Sequence, residues 1–127
     1  MTIRSTARTG ALLVAAGLLW SGPAAASVVV VKMSDFDTFQ PETVRIHVGD
    51  TVEWRNTSRS DHDVTGDPKL ASHPEDVQLP AGAAPFTSGY MPPGKVFQHV
   101  FDVPGTYRYV CRDHENFKML GTVIVTP

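Results

Sequence analysis

From Ser27 to the C-terminus the chain is written in short runs that alternate apolar and polar residues, and each run ends at glycine or proline. Val44, Ile46 and Val48 alternate with Arg45 and His47, a two-residue period that puts one face in a core and the other in water. Gly49-Asp50 signals a turn. Val52 and Trp54 then alternate with Thr51 and Glu53, which predicts a return strand. Val28–Val31 is a β-branched run that reads as a buried strand. Phe97, His99 and Phe101 share one face of another strand, opposite Gln98 and Val100; Pro104-Gly105 turns into Thr106–Val110, and Gly121–Val125 closes the chain. No amphipathic helical period is present. Many short strands punctuated by Gly and Pro predict an all-β antiparallel sandwich. The least regular stretch, Gly66 to Gly89, holds four prolines and reads as a long connection with a short helical turn near Pro74–Val77.

The first 26 residues are written differently. Arg4 and Arg8 form a basic start with no acid, Gly10 to Trp20 is an apolar run of 11 residues, and Ala24-Ala25-Ala26 offers small residues for cleavage before Ser27. That is the pattern of a signal peptide, and it predicts a periplasmic protein with the domain at 27–127. An uncleaved anchor is the alternative, disfavoured because a span needs ~20 apolar residues. The arginines are not adjacent, as twin-arginine export would require, and no cysteine near the cleavage point could carry a lipid. Removing 26 of 127 residues leaves 101 and takes the formal charge from −2 to −4, an acidic balance that disfavours nucleic acid as a partner. A chain of that size can bury one core. Its single cysteine has no partner for an internal disulfide.

That cysteine lies in Cys111-Arg112-Asp113-His114, with Met119 five residues beyond the histidine. A loop of this size can bring thiol, imidazole and thioether to one point. His62 follows the Thr51–Asn56 strand, whose end a sandwich can place beside the loop. Two imidazoles, one thiolate and a longer-range thioether form the trigonal set of a mononuclear blue copper site. We therefore expect copper at His62, Cys111, His114 and Met119, one electron carried at a time, and His114 as the ligand nearer solvent. Each residue has a plainer reading: Cys111 a small buried hydrophobe, His62 an exposed loop residue, Met119 a core residue. Met91, beside Pro92, reads as surface or rim packing. A cysteine nucleophile is disfavoured by the three-residue spacing to histidine, and structural zinc by the poor match of a thioether. A copper carrier or sensor that hands over the ion is the rival reading.

Phe39-Gln40-Pro41, Val44–Val48 and Gly49–Asn56, followed by Pro93-Gly94, Phe101, Pro104–Tyr109, Cys111, His114, Met119 and Gly121–Val123, resemble the small cupredoxins, the type 1 blue copper proteins. The likeness covers nearly all of 28–125 and is closest to bacterial plastocyanin-like proteins, in which the histidine-to-methionine step is also five residues. It implies a Greek-key β-sandwich of about eight strands with copper at one end, and electron exchange with redox proteins such as a c-type cytochrome or a terminal reductase or oxidase. The chain is expected to be a monomer, a carrier and not an enzyme. The chain departs from the pattern at Asp63, where plastocyanins commonly have Asn. A buried carboxylate beside a copper thiolate needs a partner, and Arg112 is the candidate for an ion pair that locks the loop. The connection from Gly66 to Pro85 is also long for a minimal cupredoxin.

Around the ligands, Phe117, Pro92 and Met91 read as an apolar collar, and Asp61, Asp63, Asp113 and Glu115 as acids that would favour a basic partner, offset by Arg59 and Arg112. Of the remaining histidines, His47 reads as a surface residue, His99 as partly buried and structural, and His73 as part of the long connection.

Overall fold

The computed structural model describes residues 2–3, 10–19, 22 and 24–127. Arg4, Arg8 and Trp20, on which the signal-peptide expectation partly rests, lie outside the described residues. No helix among the described residues is long and apolar enough to cross a membrane.

Among the described residues nine strands form two sheets: β1 (Val28–Met33), β2 (Phe39–Gln40), β3 (Thr43–His47), β4 (Thr51–Asn56), β5 (Thr65–Gly66), β6 (Phe86–Thr87), β7 (Val96–Val100), β8 (Gly105–Val110) and β9 (Leu120–Thr126). One sheet has the order β2-β1-β4-β7, the other β3-β9-β8-β5-β6. The all-β sandwich expected from the sequence is present, with three strands only two residues long. The helical content of the described residues is two 3₁₀ segments, Pro74–Asp76 within the long connection, where a turn is expected, and Arg112–Phe117.

The sheets are mixed, not antiparallel throughout. β1 runs parallel to β4, with Val28 opposite Thr51, and β3 runs parallel to β9, with Thr43 opposite Thr122. The return strand expected after Gly49-Asp50 therefore does not pair with β3. Gly49 adopts a positive φ of 91°, open to glycine without steric cost, and the chain crosses to the other sheet. Asp50 fixes this crossing by accepting N–H bonds from His47 at 2.9 Å and Ser27 at 2.8 Å. The Val28–Val31 run is not buried throughout: Val28 is 58% exposed and only Val31 is in the core, because the outer face of this sheet meets water. Phe101 lies just past β7, held by bonds between its backbone and that of Gly49 and Asp50.

Val31, Met33, Val52 and Trp54 from one sheet meet Tyr107, Tyr109, Val123 and Val125 from the other, with Phe39 and Phe101 at the margins. Trp54 donates its indole N–H to the Tyr109 hydroxyl at 3.0 Å, and the two rings meet edge to face at 5.3 Å. This bond satisfies two fully buried polar atoms and ties the sheets together. His99 is half-buried between Phe86 and Phe101, at ring separations of 4.4 and 4.7 Å, in the structural role expected, and His47 is exposed.

Candidate metal centre

The two segments that carry the candidate ligands emerge at one end of the sandwich. β4 ends at Asn56, whose buried side chain organises the loop that follows. Its amide donates to the Ser60 carbonyl at 2.7 Å and the Met91 carbonyl at 2.9 Å, while its oxygen accepts from the Ser58 backbone and hydroxyl. Three of these four bonds hold the loop, and the fourth ties it to Met91. His62 then exchanges a reciprocal pair of backbone bonds with Met91, at 3.0 and 2.8 Å. Met91 is fully buried behind His62; it is not a surface or rim residue, because this pairing draws it inward.

The second segment is a closed loop. Cys111 follows β8 directly and donates its N–H to the Met119 carbonyl at 3.0 Å, so the loop begins and ends on one bond. Inside it, His114 donates to the Cys111 carbonyl and Met119 donates to the His114 carbonyl, each at 3.2 Å. Lys118 turns the chain with a φ of 61°.

Three donors converge where these segments meet. Cys111 Sγ lies 3.5 Å from His114 Nδ1 and 3.8 Å from His62 Nδ1, and the two Nδ1 atoms are 3.2 Å apart. His62 and Cys111 are fully buried, and His114 is 19% exposed on its side chain, so His114 is the member nearer solvent. Met119 is fully buried at the end of the same loop, bonded through its backbone to both Cys111 and His114. Burial holds the His62 imidazole below the usual histidine range, with the nearby His114 acting in the same direction. Both effects disfavour the charged ring, the form that cannot bind a metal. Burial pushes the Cys111 thiol up to about 12, against the N–H that Asp63 donates to Sγ at 3.5 Å. A metal must displace that proton to gain the thiolate. Two imidazole nitrogens and one sulfur aimed at a single buried point suit copper, for which thiolate and imidazole are preferred ligands.

Asp63 and Arg112 form the expected pair. Asp63 is 4% exposed, and its carboxylate accepts from the Arg112 backbone N–H at 2.6 Å, from Arg112 Nε and from the Thr65 hydroxyl at 2.9 Å. One side chain thus joins the residue after His62 to the residue after Cys111.

The acidic rim is smaller than the sequence suggests. Asp63 and Glu115 are both buried. Glu115 is 1% exposed and accepts the backbone N–H groups of Ser72 and His73, each at 2.8 Å. It staples the long connection onto the ligand loop, and His73 adds a contact from Nε2 to Asn116 Oδ1 at 3.2 Å. Asp113 is exposed, and Asp61 accepts the Tyr90 hydroxyl at 2.7 Å. The apolar collar comprises exposed Phe117 and Pro92 without Met91, and exposed Phe36 adds a further large apolar side chain. The sequence reading also missed Asp37, whose Oδ1 lies 3.5 Å from His114 Nε2. Neither Asp37 nor Glu115 carries a periodic or motif signal, since an acid in an irregular loop looks solvated.

Comparison with known proteins agrees with this geometry. Plastocyanin of Prochlorothrix hollandica is 33% identical over 122 residues, covering 90% of this chain and 86% of the relative. Chloroplastic plastocyanin of Tetradesmus obliquus is 32% identical over 134 residues, covering 98% and 87%. Among solved structures, the Cu(I) form of an amicyanin point mutant superposes with a TM-score of 0.62 at 26% identity, covering 82% of this chain and 87% of that one. A purple cupredoxin from Nitrosopumilus maritimus shares the fold at a TM-score of 0.58 and 23% identity, covering 76% and 98%. Residues 25–126 match the profile of the copper binding proteins, plastocyanin/azurin family. With copper as its cofactor, the chain belongs to this cupredoxin family.

Proposed function

We propose that this chain is an exported type 1 copper protein that carries single electrons between redox proteins, and that His62, Cys111, His114 and Met119 would hold the metal. The observation that carries the reading is the convergence of His62 Nδ1, Cys111 Sγ and His114 Nδ1 on one buried point. Copper supplies the one-electron couple when bound.

The chain's own residues supply rigidity. Asn56, the Met91 backbone and the Asp63 carboxylate fix both ligand segments through hydrogen bonds that need no metal. Donors held in this way have little freedom to rearrange when the charge at the site changes, which is what fast electron exchange requires. The Asp63 N–H is directed at the sulfur and offsets part of a thiolate's charge. His114, the ligand nearer solvent, is the proposed electron port, with Phe117 and Pro92 as an apolar surface for brief docking. The partners are redox proteins, a c-type cytochrome or a terminal reductase or oxidase, and the compartment is the periplasm, reached through a signal peptide at 1–26. The protein acts as a carrier, not as an enzyme, and as a monomer.

The test is to load the purified protein with Cu(II), record visible and EPR spectra, and repeat with Cys111→Ser. An intense thiolate-to-copper band that vanishes in the variant is expected. A colourless complex with ordinary tetragonal EPR overturns the proposal. Reversible cycling in voltammetry distinguishes an electron carrier from an ion carrier, which would release Cu(I) readily to a chelator.

A further inference from the structure

The turn between β1 and β2 reaches over the metal centre. It is braced internally: Ser34 N–H donates to the Thr38 carbonyl at 3.0 Å, Asp37 N–H to the Ser34 carbonyl at 3.2 Å, and the Ser34 and Thr38 hydroxyls meet at 2.7 Å. Asp37 sits at a φ of 54°, a left-handed conformation that Asp and Asn tolerate better than other non-glycine residues. The turn directs the Asp37 carboxylate at the outer nitrogen of His114, with Oδ1 3.5 Å from Nε2. The two side chains are 33% and 19% exposed, so water screens the contact only in part. The neighbouring cation, Arg59, is engaged with Asp35 at 3.4 Å, and among the described residues Asp37 forms no other ion pair.

We infer that Asp37 is a positioning residue for His114, holding the imidazole in the tautomer with its proton on Nε2 and adding a negative charge behind the ring. The inference rests on the proposal that His114 holds the metal. A neutral imidazole has one N–H and one lone pair. Nδ1 faces Cys111 Sγ and His62 Nδ1 and is the atom that would ligate the metal, so a ligating ring would carry its proton on Nε2, 3.5 Å from Asp37 Oδ1. A carboxylate behind a ligating histidine fixes ring orientation and raises ligand basicity. Its charge favours the more positive oxidation state of the metal and lowers the reduction potential.

Two variants separate this role from support of the turn. Asp37→Asn keeps the shape and the left-handed backbone and removes the charge. Asp37→Gly keeps the backbone and removes the side chain. In the metal-free protein labelled with ¹⁵N, ring-nitrogen shifts of His114 should report the Nε2–H tautomer, and Asp37→Gly should give a mixture of tautomers. In the copper-loaded protein both variants should raise the midpoint potential, with a change in the Cu(II)/Cu(I) affinity ratio of about fivefold, equivalent to about 40 mV for one electron. Asp35→Asn, on the same turn but paired with Arg59, should do neither. Unchanged tautomer and potential in both Asp37 variants overturn the inference, and so does an equal shift in Asp35→Asn. If His114→Ala leaves the thiolate band and EPR intact, the ligand assignment fails instead, and the tautomer measurement stands apart from it.

Discussion

Removing the Asp63 carboxylate tests whether one buried side chain holds the two ligand segments together. In Asp63→Ala three donors lose their acceptor: the Arg112 backbone N–H at 2.6 Å, Arg112 Nε, and the Thr65 hydroxyl at 2.9 Å. The backbone bond is charge-assisted and partly buried, and its loss costs about 1.5–3 kcal/mol. The Arg112 side chain is 36% exposed and can turn to water, so that half of the ion pair contributes at most about 1 kcal/mol. Thr65 keeps a hydroxyl contact with Thr87 at 3.0 Å and loses about 0.5–1 kcal/mol. Together the loss is about 2–5 kcal/mol, a large share of the ~5–15 kcal/mol typical of a domain. Asp63→Asn keeps an oxygen for the Arg112 backbone, and its amide can donate to Thr65 while facing Arg112 Nε with the wrong polarity. Its cost should be about 1–2 kcal/mol. Urea denaturation of the metal-free protein reads both values, with the slope unchanged and the midpoint lowered. Thermal midpoints should fall by roughly 10–40 °C for Ala and 5–15 °C for Asn. An Ala variant no less stable than the Asn variant, or a loss below about 1 kcal/mol in both, would refute the idea that this carboxylate is the clasp.

Glu115→Gln replaces one acceptor oxygen with an amide that faces a backbone N–H, so it should cost about 2 kcal/mol and speed hydrogen exchange at Ser72 and His73; unchanged protection there would remove the staple between connection and ligand loop. His99 lies below the usual histidine range because burial opposes its charge, with Asp102 pulling the other way. The unfolded chain therefore takes up the proton first, and stability should fall as pH drops through the unfolded value of ~6.5. The stability difference between the native chain and His99→Gln should then shrink or change sign between about pH 7 and pH 5, and a difference constant across that window would count against a desolvated imidazole.

Most of the centre was legible because its chemistry depends on residue types at short spacing. Cys111, His114 and Met119 lie within one loop, and His62 follows a strand whose alternation around Trp54 is plain. The Asp63–Arg112 pair was legible for a different reason: each residue adjoins a ligand, and a charge so placed needs a partner. Strand partners were not legible. Alternation in β3 and β4 shows which residues face a core, yet both sheets face the same core, so the pattern cannot distinguish a hairpin from a crossing. Glu115 and Asp37 were hidden because their roles depend on segments far away in sequence, Ser72-His73 for one and His114 for the other. Met91 was misread because backbone bonds to two distant residues, His62 and the Asn56 amide, hold it in the core.

The parallel pairing of β3 with β9 bears on how the molecule reaches its native state. Thr43 must find Thr122 near the far end of the chain, and Val52 pairs with His99. Such distant partners impose a large loop-closure cost before any contact rewards it, and folds of this kind assemble in milliseconds to seconds. The Cys111–Met119 loop can close early, since it is local to the β8–β9 hairpin. His62 reaches it only once both sheets have formed. On the proposed ligand set, copper captured by the early loop would meet an incomplete set of donors, and the assembled sandwich, not the nascent chain, would be the species that selects the metal.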